Sequence, residues 1–301
     1  MICLVVQGPV GRHSFDWVSH VREHCPLVTS IVLSTWPSSV DLNMFELFDD
    51  VVVTKDPGSN CDDFLTLAPD NFRRQRQGVL AVRDRVAQPF IIKMRTDCEI
   101  DNAKKFKKFT EFLCSNEYIY YVGAQGSVDP MRFPILMHFS DIVLAGKSEK
   151  VFDLYFASDT KFDGYLRVKH FIRHNFFGLS GFRWARLACE QRLWVGDKFS
   201  DFYYESFSYS VYKKHISLAS SIFIFDEKEY GIFVPERIGI FSSFAPYFFR
   251  PGNPYEFSYF SFLCKRFSVV MLSRYVKSIS SIAFFLAPRW FRKRLFKKHI
   301  Q

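Results

Sequence analysis

The sequence predicts an α/β fold with a mostly parallel central sheet flanked by helices, on two observations. Short apolar runs of strand length, each stopped by Gly, Pro or Ser, alternate with segments of helical periodicity. One run, Phe90–Ile92, passes directly into alternating ionic residues: Lys93, Arg95, Asp97 and Glu99. Side chains two apart on an extended backbone share a face, so two cations and two carboxylates would line the strand's C-terminal end. That end is where open α/β sheets bind ligands, and cations there suit phosphate oxygens while carboxylates suit a divalent metal or a sugar hydroxyl. The same alternation also describes a solvated edge strand.

The elements follow in order. Ile2–Val6 reads as a buried strand stopped by Gln7-Gly8-Pro9. Ser14 is placed to cap a helix through Trp17, Val18, Val21 and His24, closed by Pro26. Ile31–Leu33 and Val51–Val53 are the next strands, stopped by Ser34-Thr35-Trp36-Pro37 and Lys55-Asp56-Pro57-Gly58. After a polar loop, Asn71 opens a basic helix with Phe72, Val79, Val82 and Val86 on its apolar stripe and Arg73, Arg74, Gln75 and Arg76 in its first turns. A helix N-terminus favours anions, and arginines there reinforce phosphate binding; a solvated charged face accounts for them equally well. A Lys-rich helix from Asn102 to Leu113 and a strand from Tyr118 to Val122 follow the charged strand.

Asp141 lies between two apolar runs, Ile135–Phe139 and Ile142–Ala145, ahead of a helix at Lys150–Phe156. A carboxylate so flanked is either satisfied by the backbone or kept for chemistry. Further helices are expected over Trp184–Trp194, carrying Glu190-Gln191, and over Asp201–Tyr212, with a last strand at Ser221–Phe225 and a connecting loop at Pro235–Pro254. His215 is a late candidate metal ligand, although a lone histidine is more often structural.

Charge separates body from tail. The chain carries +9 overall, yet no Asp or Glu follows Glu256 while ten Lys or Arg do, which leaves a nearly neutral body. A basic footprint confined to the tail argues against a nucleic-acid-binding domain. The apolar stretch Phe267–Ala287 holds Arg274 and Lys277 near its middle, so it reads as lying on a surface rather than crossing a bilayer. The segment after Pro288 interleaves Trp290, Phe291, Leu295 and Phe296 with cations, a pattern suited to an anionic membrane interface. The seven cysteines are widely spaced with no Cys-x-x-Cys pair, which indicates neither a disulfide framework nor a zinc site. With no basic, apolar leader at the N-terminus, a cytoplasmic location is expected. No dinucleotide fingerprint, Walker loop or Gly-x-Ser-x-Gly elbow occurs.

Five segments in order carry a resemblance: Val-Val-Gln-Gly-Pro-Val at 5–10, Ile-Val-Leu-Ser-Thr-Trp at 31–36, Asn71-x-x-Arg74-Gln75, Ile-Lys-Met-Arg-Thr-Asp at 92–97, and Phe-Ser-Asp-Ile-Val-Leu-Ala-Gly at 139–146. Together they resemble WavE-type lipopolysaccharide-synthesis proteins, bacterial glycosyltransferases of the GT-A kind, over roughly residues 2–195. The resemblance implies a GT-A-like domain over 1–245, with a nucleotide-sugar donor half at 1–115 and an acceptor half at 116–245, followed by a basic helical tail at 246–301. It implies Asp97 and Glu99 in place of the family's metal-binding Asp-x-Asp, with Mn²⁺ or Mg²⁺ as cofactor. It further implies Gln7, Gly8, Arg74, Gln75, Lys93, Arg95 and Asp97 around the donor. Lys93 and Arg95 are also able to neutralise a diphosphate without metal. Glu190 and Asp141 are the candidate general bases. The partners implied are a nucleotide sugar, a glycolipid or oligosaccharide acceptor, and the anionic inner membrane face through the tail, with no nucleic acid. A sugar nucleotidyltransferase and a non-catalytic membrane-bound scaffold for polysaccharide assembly are the alternatives.

Overall fold

The computed structural model describes residues 1–10, 15–37, 44–58, 71–125, 127, 137, 139–157, 193–194 and 209–235. Its core is a seven-stranded sheet built from β1 (Ile2–Gln7), β2 (Val28–Thr35), β3 (Asp50–Val53), β4 (Phe90–Arg95), β6 (Tyr120–Gly123), β7 (Val143–Lys147) and β8 (Ile222–Phe225) in the order β3-β2-β1-β4-β7-β6-β8. Pairing is parallel at β2–β3, β1–β2, β1–β4 and β6–β8, and antiparallel on both sides of β7. The α/β class with a mostly parallel sheet is therefore as expected. The solvated-edge reading of 90–100 is not, because β4 lies between β1 and β7. A second sheet pairs β5 (Glu99–Ile100) with β9 (Ile232–Phe233), so Ser221–Phe225 is not the last strand.

Helices cover both faces. On one, α1 (Trp17–His24) and α4 (Ala103–Ser115) pack Trp17, Val18, Val21, Phe106, Phe109 and Leu113 against Leu4, Val6, Ile92 and Met94. The i, i+3, i+7 spacing of the three α4 residues makes that stripe, and the Asn102 side chain caps the helix by accepting the Lys105 N–H at 3.0 Å. On the other face, α3 (Phe72–Ala81) and α5 (Ser148–Ala157) place Phe72, Val79, Val151 and Tyr155 over Cys3, Val5, Ile91 and Leu144. The short α2 spans Met44–Leu47.

Two boundaries differ from expectation. The basic helix ends at Ala81 and a 3₁₀ turn takes Arg83–Arg85, bringing the chain back toward β4. The late aromatic helix α6 is described over Tyr209–Ala219 and runs past the expected end at Tyr212, while residues 201–208 lie outside the described residues. Its side chains Ile216 and Ala219 meet the core, which holds the helix there. Ser14, residues 184–192 of the helix expected over Trp184–Trp194, residues 236–254 of the loop expected over Pro235–Pro254 and the whole tail lie outside the described residues.

Candidate functional site

The parallel strands β1 and β4 end side by side, with Gln7 in register with Arg95. The Thr96 N–H reaches the Gln7 carbonyl at 3.0 Å, and the Gly8 N–H reaches Ser34 of β2 at 3.0 Å. Gly8 has φ +134°, and a Cβ there would come 2.7 Å from Thr96 Oγ1, which itself donates to the Pro9 carbonyl. Only glycine lets the two strand ends approach this closely. The Cys98 N–H then bonds back to the Arg95 carbonyl, closing a turn. The expected four-residue alternation thus spans only Lys93 and Arg95 on β4. The turn carries Asp97, and Glu99 belongs to β5, opposite Phe233.

Each cation of β4 meets a carboxylate. Arg95 grips Asp97 through two hydrogen bonds, Nε to Oδ1 at 2.8 Å and Nη2 to Oδ2 at 2.6 Å, with the side chains 29% and 25% exposed. Lys93, one pleat deeper, is fully buried and lies 3.6 Å from the Asp141 carboxylate, itself 1% exposed. Its ammonium also donates to the Asp141 carbonyl. No hydrogen bond from the described residues reaches the Asp141 carboxylate oxygens, so Lys93 is their counter-charge. Burial pulls the Lys93 ammonium below the usual lysine range, and Asp141 is the main opposing influence.

Helix α3 sits over the ends of β1 and β2. The Gln7 amide nitrogen donates to the carbonyls of Arg74 at 3.0 Å and Gln75 at 2.7 Å, and Ser34 Oγ donates to the Gly78 carbonyl at 2.8 Å. A Cβ on Gly78 would lie 2.3 Å from the Gln7 nitrogen, so the glycine is what admits that side chain beneath the helix. Gln7, Arg74 and Gln75 are thereby brought together, with Gln7 buried against α3. The Arg74 guanidinium repeats the fork seen at Arg95: Nε donates to Asp56 Oδ1 at 2.7 Å and Nη2 to Oδ2, while Nη1 reaches Asn71 at 3.0 Å. Hydrogen bonding from Arg74 holds the Asp56 carboxyl below its ordinary range. Arg76 instead turns to the last carbonyls of α5, Tyr155 at 3.0 Å and Phe156 at 3.4 Å.

Other candidates divide differently. Glu190 lies outside the described residues. His215 is buried, accepts the Met137 N–H on Nδ1 at 3.1 Å and stacks on Phe139 at 5.4 Å. Burial pushes it down to about 3, so the ring is neutral at physiological pH. Among the described residues no group of three or more His, Cys, Asp or Glu side chains is placed to hold a metal.

Three residues escaped the sequence reading. Asp56 looked like part of a Pro-Gly turn, and Thr96 like a spacer. Glu227 sits in a polar run, Asp226-Glu227-Lys228-Glu229, with nothing to announce that it is buried. Its Oε1 accepts the Gln125 N–H at 3.0 Å, and burial raises the carboxyl to about 7.

The comparisons with known proteins bear on this geometry. A family model described as WavE lipopolysaccharide synthesis matches residues 2–298. No curated protein sequence matches the chain. Among solved structures, a Bacillus anthracis protein assigned as a glucose-1-phosphate thymidylyltransferase aligns over 56% of this chain and 80% of its own, at 12% identity and a TM-score of 0.34. Glucosyl-3-phosphoglycerate synthase from Mycobacterium tuberculosis aligns over 50% and 56%, at 12% identity and 0.33; this chain thus spans little more than half of that protein. A nucleotidyl transferase from Methanothermobacter aligns over 53% and 77%, at 12% identity and 0.32. Likenesses at this level say nothing about activity. The family match covers nearly the whole chain, and the protein belongs to the WavE lipopolysaccharide synthesis family.

Proposed function

We propose, with that membership as the premise, that the protein is a glycosyltransferase moving a sugar from a nucleotide-sugar donor to a lipopolysaccharide core or another surface glycan. The observation that carries the reading is that Gln7, at the C-terminal end of β1, lies beside Arg95 with its partner Asp97 and holds the first turn of α3, which carries Arg74. Ligands of open α/β sheets bind at that edge, and forked guanidinium groups match phosphate oxygens. In this reading residues 1–115 hold the donor and 116–245 the acceptor. Gly8 lets the ends of β1 and β4 close together where the diphosphate would lie, and Gln7 keeps Arg74 and Gln75 at the site by tethering α3.

A divalent Mn²⁺ or Mg²⁺ would be held by Asp97 and Glu99. Asp97 already faces a guanidinium, which competes with a cation for its two oxygens. A resident ion therefore does not fit the free site; one arriving with the donor would draw its remaining ligands from the diphosphate, whose leaving charge it would offset. For an inverting transfer, an acceptor hydroxyl needs a base within hydrogen-bond reach. The sealing of Asp141 against Lys93 supports giving that role to Glu190. No helix among the described residues is long and apolar enough to cross a membrane, and the tail, residues 246–301, is proposed to hold the enzyme to the anionic inner face.

The test is a panel of nucleotide sugars, scored for release of the nucleoside phosphate with Mn²⁺, Mg²⁺ or a chelator, with and without phosphatidylglycerol vesicles. One donor is expected to turn over, faster with vesicles only while the tail is present. A folded protein that binds no nucleotide sugar defeats the proposal. Reaction of a sugar phosphate with a nucleoside triphosphate would make it a nucleotidyltransferase instead.

A further inference from the structure

We propose that Asp56 and Asp97 each occupy, in the free protein, a place that a phosphoryl group takes, so that a phosphorylated substrate binds by displacing a carboxylate from an arginine. The nature of the ligand rests on the transferase reading; the exchange itself rests on geometry. The two pairs are built alike. In each, Nε and Nη2 of the arginine meet the two oxygens of one aspartate. That edge of the guanidinium is the one that receives a phosphoryl group's paired oxygens.

Both pairs stand at strand ends, Asp56 just beyond β3 and Asp97 just beyond β4. Arg95 is in register with Gln7, and the Gln7 amide holds the backbone of Arg74. Their side chains are 25% to 36% exposed, so water and solutes reach them. Lys93–Asp141, buried on the same strand as Arg95, has no such access.

Exchange follows from these facts. Each pair is open to solvent along one side, and a released carboxylate regains its hydration. A phosphoryl group carries more charge than the carboxylate it replaces and matches the same edge of the guanidinium. Asp97 becomes a free carboxylate only after the phosphoryl group has taken Arg95. The site is therefore assembled in order, phosphoryl group first.

The probe is inorganic pyrophosphate, titrated calorimetrically into the full chain in the presence of a chelator, with thermal melts to verify folding. Asp97→Asn and Asp56→Asn preserve shape while removing the competing charge, and each is expected to tighten pyrophosphate binding by about ten-fold. Arg95→Lys keeps the charge, loses the fork, and is expected to weaken it by a similar factor. Asparagine variants that bind pyrophosphate no tighter than the wild type, or a protein that binds none in any form, would overturn the exchange. Tighter binding in a protein that turns over no nucleotide sugar would uphold the exchange and sink the transferase reading. Turnover with unchanged pyrophosphate affinity in Asp97→Asn would do the reverse.

Discussion

Two ion pairs leave the same strand two residues apart and live in different solvents. Lys93–Asp141 is closed to water on every side, whereas Arg95–Asp97 is one-quarter exposed and doubly hydrogen-bonded. The inner pair has lost its hydration and holds together because neither charge has anywhere else to go. The outer pair gives up little by parting, because water or an anion can replace either partner. One pleat of strand is enough to turn the same chemistry from an internal brace into a surface that ligands can compete for.

The largest effect should come from breaking the inner pair alone. Lys93→Met leaves Asp141 buried without its counter-charge and should cost about 3–5 kcal/mol in urea denaturation. Adding Asp141→Leu should recover at least half of that loss; equal destabilisation in the single and double variants would mean that the two charges do not depend on each other.

A sealed group that bears no charge gives a smaller effect and shows whether burial alone sets the contrast. His215 is neutral in the fold, with its value depressed to about 3, while the unfolded chain titrates near the ordinary value of 6.5. Between these the unfolded state binds more protons, so the stabilising contribution is whole above pH 6.5 and falls as the pH drops. The loss reaches about 2 kcal/mol by pH 5. His215→Gln should flatten that part of the stability–pH curve, and an unchanged slope in the variant would assign the loss to other groups.

The smallest stability change belongs to the outer pair. Arg95→Gln should shift unfolding by less than about 1 kcal/mol, yet weaken nucleotide-sugar binding at least about ten-fold by fluorescence or calorimetric titration. A large loss of stability with binding intact would make Arg95 another brace and erase the distinction.

Several features were readable from local pattern. The apolar runs at Ile2–Val6 and Val51–Val53 each became a strand one residue longer, and Ile31–Leu33 became the middle of the eight-residue β2, because neighbouring residues complete the ladders. Phe106, Phe109 and Leu113 gave the α4 stripe. That Gln7, Gly8, Arg74, Gln75, Lys93, Arg95 and Asp97 surround a donor is what the family resemblance implies, and local pattern does not show it. What escaped was pairing at a distance. Nothing near Asp56 signals Arg74, eighteen residues on, and nothing in Asp226-Glu227 signals the Gln125 N–H.

By itself the sequence determined that strands and helices alternate and that opposite charges collect after Phe90–Ile92, since periodicity and composition act over a few neighbouring residues. Only the tertiary structure decided which charge meets which. The antiparallel β7 brings Asp141 to Lys93, the turn at Thr96 folds Asp97 back onto Arg95, and α3 lowers Arg74 to Asp56. Partner choice depends on through-space distance and on access to water, and both are set by how strands from distant parts of the chain come to lie side by side.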